Sequence, residues 1–256
     1  MAAVTSSWLV GSMQVAATSF SVGLDVCTPT AGEYYLRHAT AAISLIDHLA
    51  TVIAAATGAS CTITITRARH VRIALGAAAT ITWGSATALR DLLGFSGDQG
   101  SSSTHTATLI SPLLWSPGYP GTAKTIVGVT GYTQQHTLRY KSDDGTRTYT
   151  HRYSTETWQD LAWTHVLVSR MRHASIGGGT FHEFFEQSLA LGYRCTHYEA
   201  ITEDSSDDST DVTWTTGRGP YVLRDGFDAD WYRRVIPSAD VACSLTLPLH
   251  SPAELS

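Results

Sequence analysis

The hydrophobic period of this chain changes once, and abruptly, within its first third. Between Ala42 and Ala56 the apolar residues Leu45, Ile46, Leu49, Val52 and Ile53 recur at three- and four-residue steps and form one continuous stripe. Past Gly58 the period becomes two: Cys61-Thr-Ile-Thr-Ile-Thr66 alternates strictly, and Val71-Arg-Ile-Ala-Leu75 does so again. A helix with one apolar face must bury it, and the strands that follow supply the surface. The pattern predicts a helix over Ala39–Thr57, stopped by Gly58 and laid on antiparallel strands that keep one wet face.

The rest of the chain divides by the same signals. Thr80-Ile-Thr-Trp83 reads as a further strand after a Gly-Ala turn. Ser85–Phe95 reads as a short helix with Ser85 as its N-cap, Leu89, Leu92 and Leu93 inward, and Gly94 as its stop. Ser96–Thr104 is rich in Ser and Gly without periodicity, and Ser111–Gly121 holds Pro112, Pro117 and Pro120, so a loop and a boundary are expected there. Beyond it, Thr125–Thr130, Gln135–Tyr140 and Arg147–Tyr153 read as strands, with Ser142-Asp-Asp-Gly145 as a hairpin turn. A helix is expected over Thr155–His173, a Gly177-Gly178-Gly179 break, a second helix over Phe181–Leu191, and then strands at Tyr193–Thr202, Val212–Thr216, Tyr221–Arg224 and Val241–Leu247. The expected architecture is α+β, antiparallel β-sheets with packed helices in two subdomains: 1–112, helix on antiparallel sheet, and 113–256, a β-meander with a helix pair.

Charge bears on partners. Only 15% of residues are charged, against roughly 25% in ordinary soluble domains, and Thr, Ser and Gly take their place. Charge depletion is a mark of surfaces that neighbours cover. The 17 Lys and Arg are scattered and the formal net charge is -5, which argues against nucleic acid as the main partner. The longest apolar stretch, Ala41–Ala56, is too short to span a bilayer and carries Asp47 and His48 near its centre, and Met1–Val10 has no basic region before an apolar run. No membrane span and synthesis in the cytoplasm are expected.

No motif demands catalysis, a metal or a cofactor. Cys27, Cys61, Cys195 and Cys243 form no close pair and read as small buried hydrophobes; Cys195-Thr-His197 offers two zinc ligands with nothing nearby to complete a set. His182 and Glu183 beside the glycine run resemble an acid–base pair, but Thr180-Phe-His-Glu183 is a capping box. Glu203–Asp211 concentrates carboxylates without the glycine and terminal Glu of a calcium loop, and reads as a mobile solvated loop. Trp231, Tyr232, Arg233 and Arg234 bring together the residue types that dominate interface energetics, and are the candidate interface.

The stretch Ala78-Ala-Thr-Ile-Thr-Trp-Gly-Ser-Ala-Thr-Ala-Leu-Arg-Asp-Leu-Leu-Gly-Phe95, followed by Ser/Gly-rich residues and Leu113-Leu-Trp-Ser-Pro117, resembles structural proteins of tailed bacteriophages, in which a strand runs into a leucine-rich turn closing on Gly-Phe. Tyr34-Tyr35-Leu36 with its helix, and Trp158 and Trp163 ahead of Gly192-Tyr193, extend the resemblance over about half of the chain. It implies a non-catalytic virion assembly protein, in the tail or baseplate rather than the capsid, whose partners are itself and other virion proteins, acting as a homo-oligomer. It brings no catalytic residues, cofactor or metal. Two other classes stay open: a carbohydrate or host-surface binding module, and an enzyme whose catalytic residues are dispersed in sequence.

Overall fold

The computed structural model describes residues 4–116, 128–141, 148–167, 180–202, 211–214, 217–223 and 242–250. The fold is α+β: among the described residues there are two antiparallel sheets and a few short helices, and neither sheet closes into a barrel.

The smaller, five-stranded sheet holds β2 (Phe20–Val22), β3 (Asp25–Cys27), β5 (Cys61–Ile65), β6 (Val71–Thr82) and β7 (Gln99–Thr106), in the order β3-β2-β6-β5, with β7 also on β6. The helix expected at Ala39 starts later. Ala41–Ile43 is a 3-10 turn, Ser44 is extended, and α1 runs Leu45–Thr57 to Gly58, which is left-handed at φ 66. The break has a cause in the backbone: Ser44 is bridged to Tyr35, and the Ile46 N–H donates to the Leu36 carbonyl. The α1 stripe otherwise lands as the period requires. Leu45, Ile46, Leu49 and Ile53 are buried in one cluster with Ile63 and Ile65 of β5, Val71, Ile73 and Ile81 of β6, and Trp83.

Two further boundaries differ from expectation. β6 passes straight through Gly76 with no Gly-Ala turn; a Cβ there would lie 2.6 Å from Ser60 Oγ, so the glycine permits a close backbone approach, with the Gly76 N–H donating to the Ser60 carbonyl. Ser96–Thr104, expected as a loop, supplies most of β7. Nearly all of β7 faces solvent, which erases any alternation in sequence, and its order comes from pairing with β6. The short helix α2 runs Thr87–Leu93 with Leu89, Leu92 and Leu93 buried and Gly94 left-handed at its end, but its N-cap is Ala86, not Ser85.

The larger sheet has nine strands among the described residues. Its order is β4 (Gly32–Tyr35), β1 (Val4–Val15), β11 (Cys195–Thr202), β13 (Arg218–Leu223), β14 (Ala242–His250), β10 (Thr148–Leu167) and β9 (Gly128–Lys141), with β8 (Leu114–Trp115) on β1 and β12 (Thr213–Trp214) on β11. Strands from both sides of Pro112 thus share one sheet. The helix expected over Thr155–His173 is instead the second half of β10 as far as Leu167; residues 168–173 lie outside the described set. Sandwiched between β9 and β14, this strand takes its conformation from two ladders of long-range hydrogen bonds, which outweigh a loose helical spacing of apolar residues. The described part of the first expected strand, Gly128–Thr130, and the second, Gln135–Tyr140, belong to the single strand β9, and its pairing with β10 is the expected hairpin; residues 125–127 and the Ser142–Gly145 turn lie outside the described residues.

Alternation along β1 shows how the sheet is covered. Trp8 and Val10 point into the cluster beneath α1, whereas Leu9 points the other way, against Trp115, Phe181, Phe184, Leu189 and Cys195. That second cluster is roofed by α3 (Phe181–Gln187), whose N-terminus is the expected capping box: Thr180 Oγ1 accepts from the Glu183 N–H at 3.3 Å and Glu183 Oε2 accepts from the Thr180 N–H at 3.3 Å. The helix is shorter than expected. It breaks at Ser188, and Leu189–Leu191 is a 3-10 turn closed by Gly192.

Candidate functional site

The most concentrated chemistry lies on one face of the β1–β11 ladder. Trp8 and Tyr198 are cross-strand partners, and Trp214, paired through β12 with Ala200, meets both edge-on, with ring centroids 5.3 and 5.4 Å away. Over this group lies Arg37, its guanidinium carbon 4.8 Å from the Trp214 centroid and 5.3 Å from that of Tyr198. Burial lowers the Arg37 pKa while Tyr198 and the Asp47 carboxylate oppose the shift, and a guanidinium stays charged throughout. The Tyr198 hydroxyl is close to both the Arg37 guanidinium and the Ala39 backbone, but these buried contacts lack the geometry of a well-formed hydrogen bond. Burial also raises the Tyr198 and Tyr35 hydroxyls, so neither ionises near neutrality. The arrangement is a pin: a desolvated cation–π contact, worth roughly 2 kcal/mol at best, that fastens the segment after β4 to the large sheet. Trp8 and Tyr198 are at most 2% exposed and their rings are closed to a ligand, whereas Trp214 is half-buried.

A different feature faces outward. Phe20↔Cys27 and Val22↔Asp25 pair across the two-residue turn Gly23-Leu24, with Gly23 at φ 62 as a type II′ turn needs. The turn thrusts Leu24 into water at 99% exposure, and Val26 beside it is 64% exposed. Phe20, Val22 and Cys27 at the base of the hairpin are buried, so the two apolar side chains sit on a rooted support.

The residues singled out in sequence are scattered. Trp231, Tyr232, Arg233 and Arg234 lie outside the described residues, as do Gly177–Gly179 and 203–210 of the acidic stretch. Asp211, the end of that stretch, is not a solvated loop residue. Its Oδ2 pairs with Arg72 Nη2 at 2.6 Å, its Oδ1 accepts from Thr64 Oγ1 at 2.9 Å, and its backbone bridges Thr66 at the end of β5. Complementary charge and an extended backbone decide this, against the like-charge density that favours a loose segment.

Cys195 and His197 share a face of β11 and both are buried. Burial pushes the Cys195 thiol up to about 12, so the thiolate that a metal would need is disfavoured, and no group of three metal-ligating side chains exists among the described residues. His182 Nε2 lies 3.5 Å from Glu186 Oε1, one helical turn along α3, with the carboxylate half exposed. No described helix is long and apolar enough to cross a membrane.

Sequence reasoning missed both Leu24 and Arg37. Gly23-Leu24 between two short alternating runs is a legible hairpin signal; the Arg37 site, built from residues more than 150 positions apart, left no local trace. Compared with protein-family models, with curated proteins and with solved structures, the chain finds no match in any of the three.

Proposed function

We propose that this chain is a non-catalytic structural protein of a tailed-phage virion, sited in the tail or baseplate, which works as a homo-oligomer in contact with other virion proteins. The observation that carries the assembly reading is the rooted hairpin with Leu24 and Val26 in water. An apolar pair held on a fixed tip costs free energy in the isolated chain and regains it in a partner's pocket, the geometry of an interface anchor. The low charge content supports the same reading, because a surface of Thr, Ser and Ala desolvates at little cost. The placement in a phage particle rests on the resemblance of Ala78–Phe95 and Leu113–Pro117 to virion proteins.

The test is particle incorporation. Phage particles from the source of this chain, banded on a density gradient, are expected to contain it in constant stoichiometry, and Leu24→Asp is expected to reduce incorporation while leaving the melting temperature unchanged. Absence of the chain from the particles would overturn the reading.

A further inference from the structure

His38, His48, His70 and His105 each hold a backbone group with a ring nitrogen, and they divide by polarity. His70 Nδ1 lies 3.2 Å from the Leu109 carbonyl oxygen and His105 Nε2 lies 3.1 Å from that of Ala79. A carbonyl only accepts, so these nitrogens carry the proton, and a doubly protonated ring makes the same bond. The other two are reversed. His48 Nε2 accepts from the Thr30 N–H at 3.1 Å, and His38 Nδ1 accepts from the Thr40 N–H at 3.0 Å. Protonating an accepting nitrogen sets two donors against each other, and the bond is lost.

The two acid-sensitive bonds close the two ends of one segment, 28–44, with β4 between them. His48 reaches over from α1 and stacks on Tyr34 of β4, ring centroids 4.9 Å apart and planes at 17°. Tyr34 Oη donates to the Thr30 carbonyl at 3.2 Å, so a stacked pair of rings holds both backbone groups of Thr30. At the other end the His38 ring lies 5.0 Å from that of Tyr35, and its neighbour in the chain is the pinned Arg37. Burial lowers the His38 pKa most; the Thr40 backbone opposes the shift and the Arg37 charge adds to it. Burial lowers that of His48.

Among the described residues no carboxylate is placed to hold a proton on either ring. Glu33 of β4 accepts from Ser12 Oγ at 2.7 Å, Asp47 of α1 acts on Arg37, and Asp25 of β3 acts on the Cys27 thiol. The other charges nearby, Arg37 and Arg194, are cations, and the Tyr34 and Tyr35 phenols and the Cys61 thiol carry no charge in acid.

We propose that segment 28–44 is a pH-operated clasp, closed while His38 and His48 are neutral and shifted toward an open state when they take up protons. β4 covers β1 through four residue pairs, from Ser12↔Tyr35 to Val15↔Gly32, so opening offers the backbone groups of that stretch of β1 to another strand. In the open state the rings titrate near their ordinary 6.5 and in the closed state below it. Opening therefore begins as pH falls through about 6.5 and levels off below the depressed values.

Amide hydrogen exchange read by mass spectrometry near pH 7.5 and near pH 5, corrected for the intrinsic pH dependence of exchange, tests the clasp. The proteins are the parent and His38→Asn/His48→Gln, whose side-chain oxygens can accept from the same N–H groups and do not titrate. In the parent, protection of 28–44 is expected to fall at least about fivefold on acidification, the factor that two hydrogen bonds at the low end of their net worth supply. The β5–β6 hairpin, near the carbonyl-bonded His70 and His105, is expected to keep its protection, and the variant to keep 28–44 closed at both pH values. Equal protection of 28–44 in the parent at both pH values, an equal loss in the β5–β6 hairpin, or the same loss in the variant would overturn the proposal. If the variant fails to fold, the pH course of the parent decides: a loss confined to 28–44 and centred below about pH 6.5 supports the clasp, and any other course refutes it.

Discussion

Replacing Leu49 tests the central helix-on-sheet contact. Leu49 is 1% exposed, on the α1 face that shares a cluster with Ile63, Ile65, Val71 and Ile73. Truncation to Ala removes its buried methyl groups and leaves a cavity lined by β-branched side chains that are stiff at χ1, so little collapse can offset the loss; such changes cost about 2–5 kcal/mol. For a chain of this size each kcal/mol moves the melting temperature by roughly 2–4 °C, so Leu49→Ala is expected to melt about 5–20 °C lower. Leu49→Asp puts a charge among buried apolar side chains and is expected to leave no folded population, since the total stability of a domain is about 5–15 kcal/mol. Ala55→Asp, on the exposed side of α1, is the control, with an expected change under about 1 kcal/mol. Differential scanning calorimetry with near-ultraviolet circular dichroism reads all three. Melting of Leu49→Ala within about 2 °C of the parent would show that α1 does not press this face on the sheet.

The Arg37 pin yields a contrasting expectation: Tyr198→Phe should cost less than about 0.5 kcal/mol in urea denaturation, because the contacts of the lost hydroxyl with Arg37 and the Ala39 backbone are poorly formed, and a larger loss would show that they hold as hydrogen bonds. His38 Nδ1 accepts from the Thr40 N–H and His48 Nε2 from the Thr30 N–H, and burial depresses both pKa values below 6.5. Because the fold favours the neutral rings, the stability they contribute is present above pH 6.5 and is lost as pH falls through the depressed values; a melting temperature that falls on acidification in this window, less steeply in His38→Asn/His48→Gln, is the expected result, and identical profiles would refute it. Cys195, with its thiol pushed up to about 12, should resist alkylation at pH 8 in the native protein and react fully in denaturant, as read by peptide mass spectrometry. Asp211→Asn should cost under about 1 kcal/mol, since the pair it forms with Arg72 is about one-third exposed, but should hasten proteolysis within 203–211; no change in cleavage would show that Asp211 does not anchor the stretch.

What the sequence disclosed depended on whether the deciding contact was local. The α1 stripe and the strict alternation of β5 were legible because each buries one continuous face against a neighbour close in sequence. The capping box at Thr180 was legible for the same reason, since both of its hydrogen bonds lie within four residues. β10 was not, because its conformation is fixed by β9 on one side and β14, whose partners lie 75 to 92 residues onward, on the other. β7 escaped because an exposed strand of Ser and Thr has no apolar rhythm to read, and Gly76 misled because a glycine chosen for close approach looks the same in sequence as one chosen for a turn. The exposed Gly23-Leu24 hairpin was within reach of sequence reasoning, because its turn glycine and short flanking strands are neighbours in the chain.

The placement of β1 between β4 and β11 governs how this protein comes into being on the ribosome. Tyr198, the cross-strand partner of Trp8, emerges 190 residues after it. At about 5–20 residues per second that is an interval of roughly 10–40 s, long compared with the microseconds to milliseconds in which α1 and the β5–β6 hairpin can close. During it the edge of β1 that β11 will occupy stays bare, although β4, β8 and α1 can already close on the rest of the strand. Neighbouring nascent chains on one message carry the same open edge, so the yield of soluble protein should depend on trigger-type chaperones and on slow translation at low temperature, whatever the stability of the finished fold.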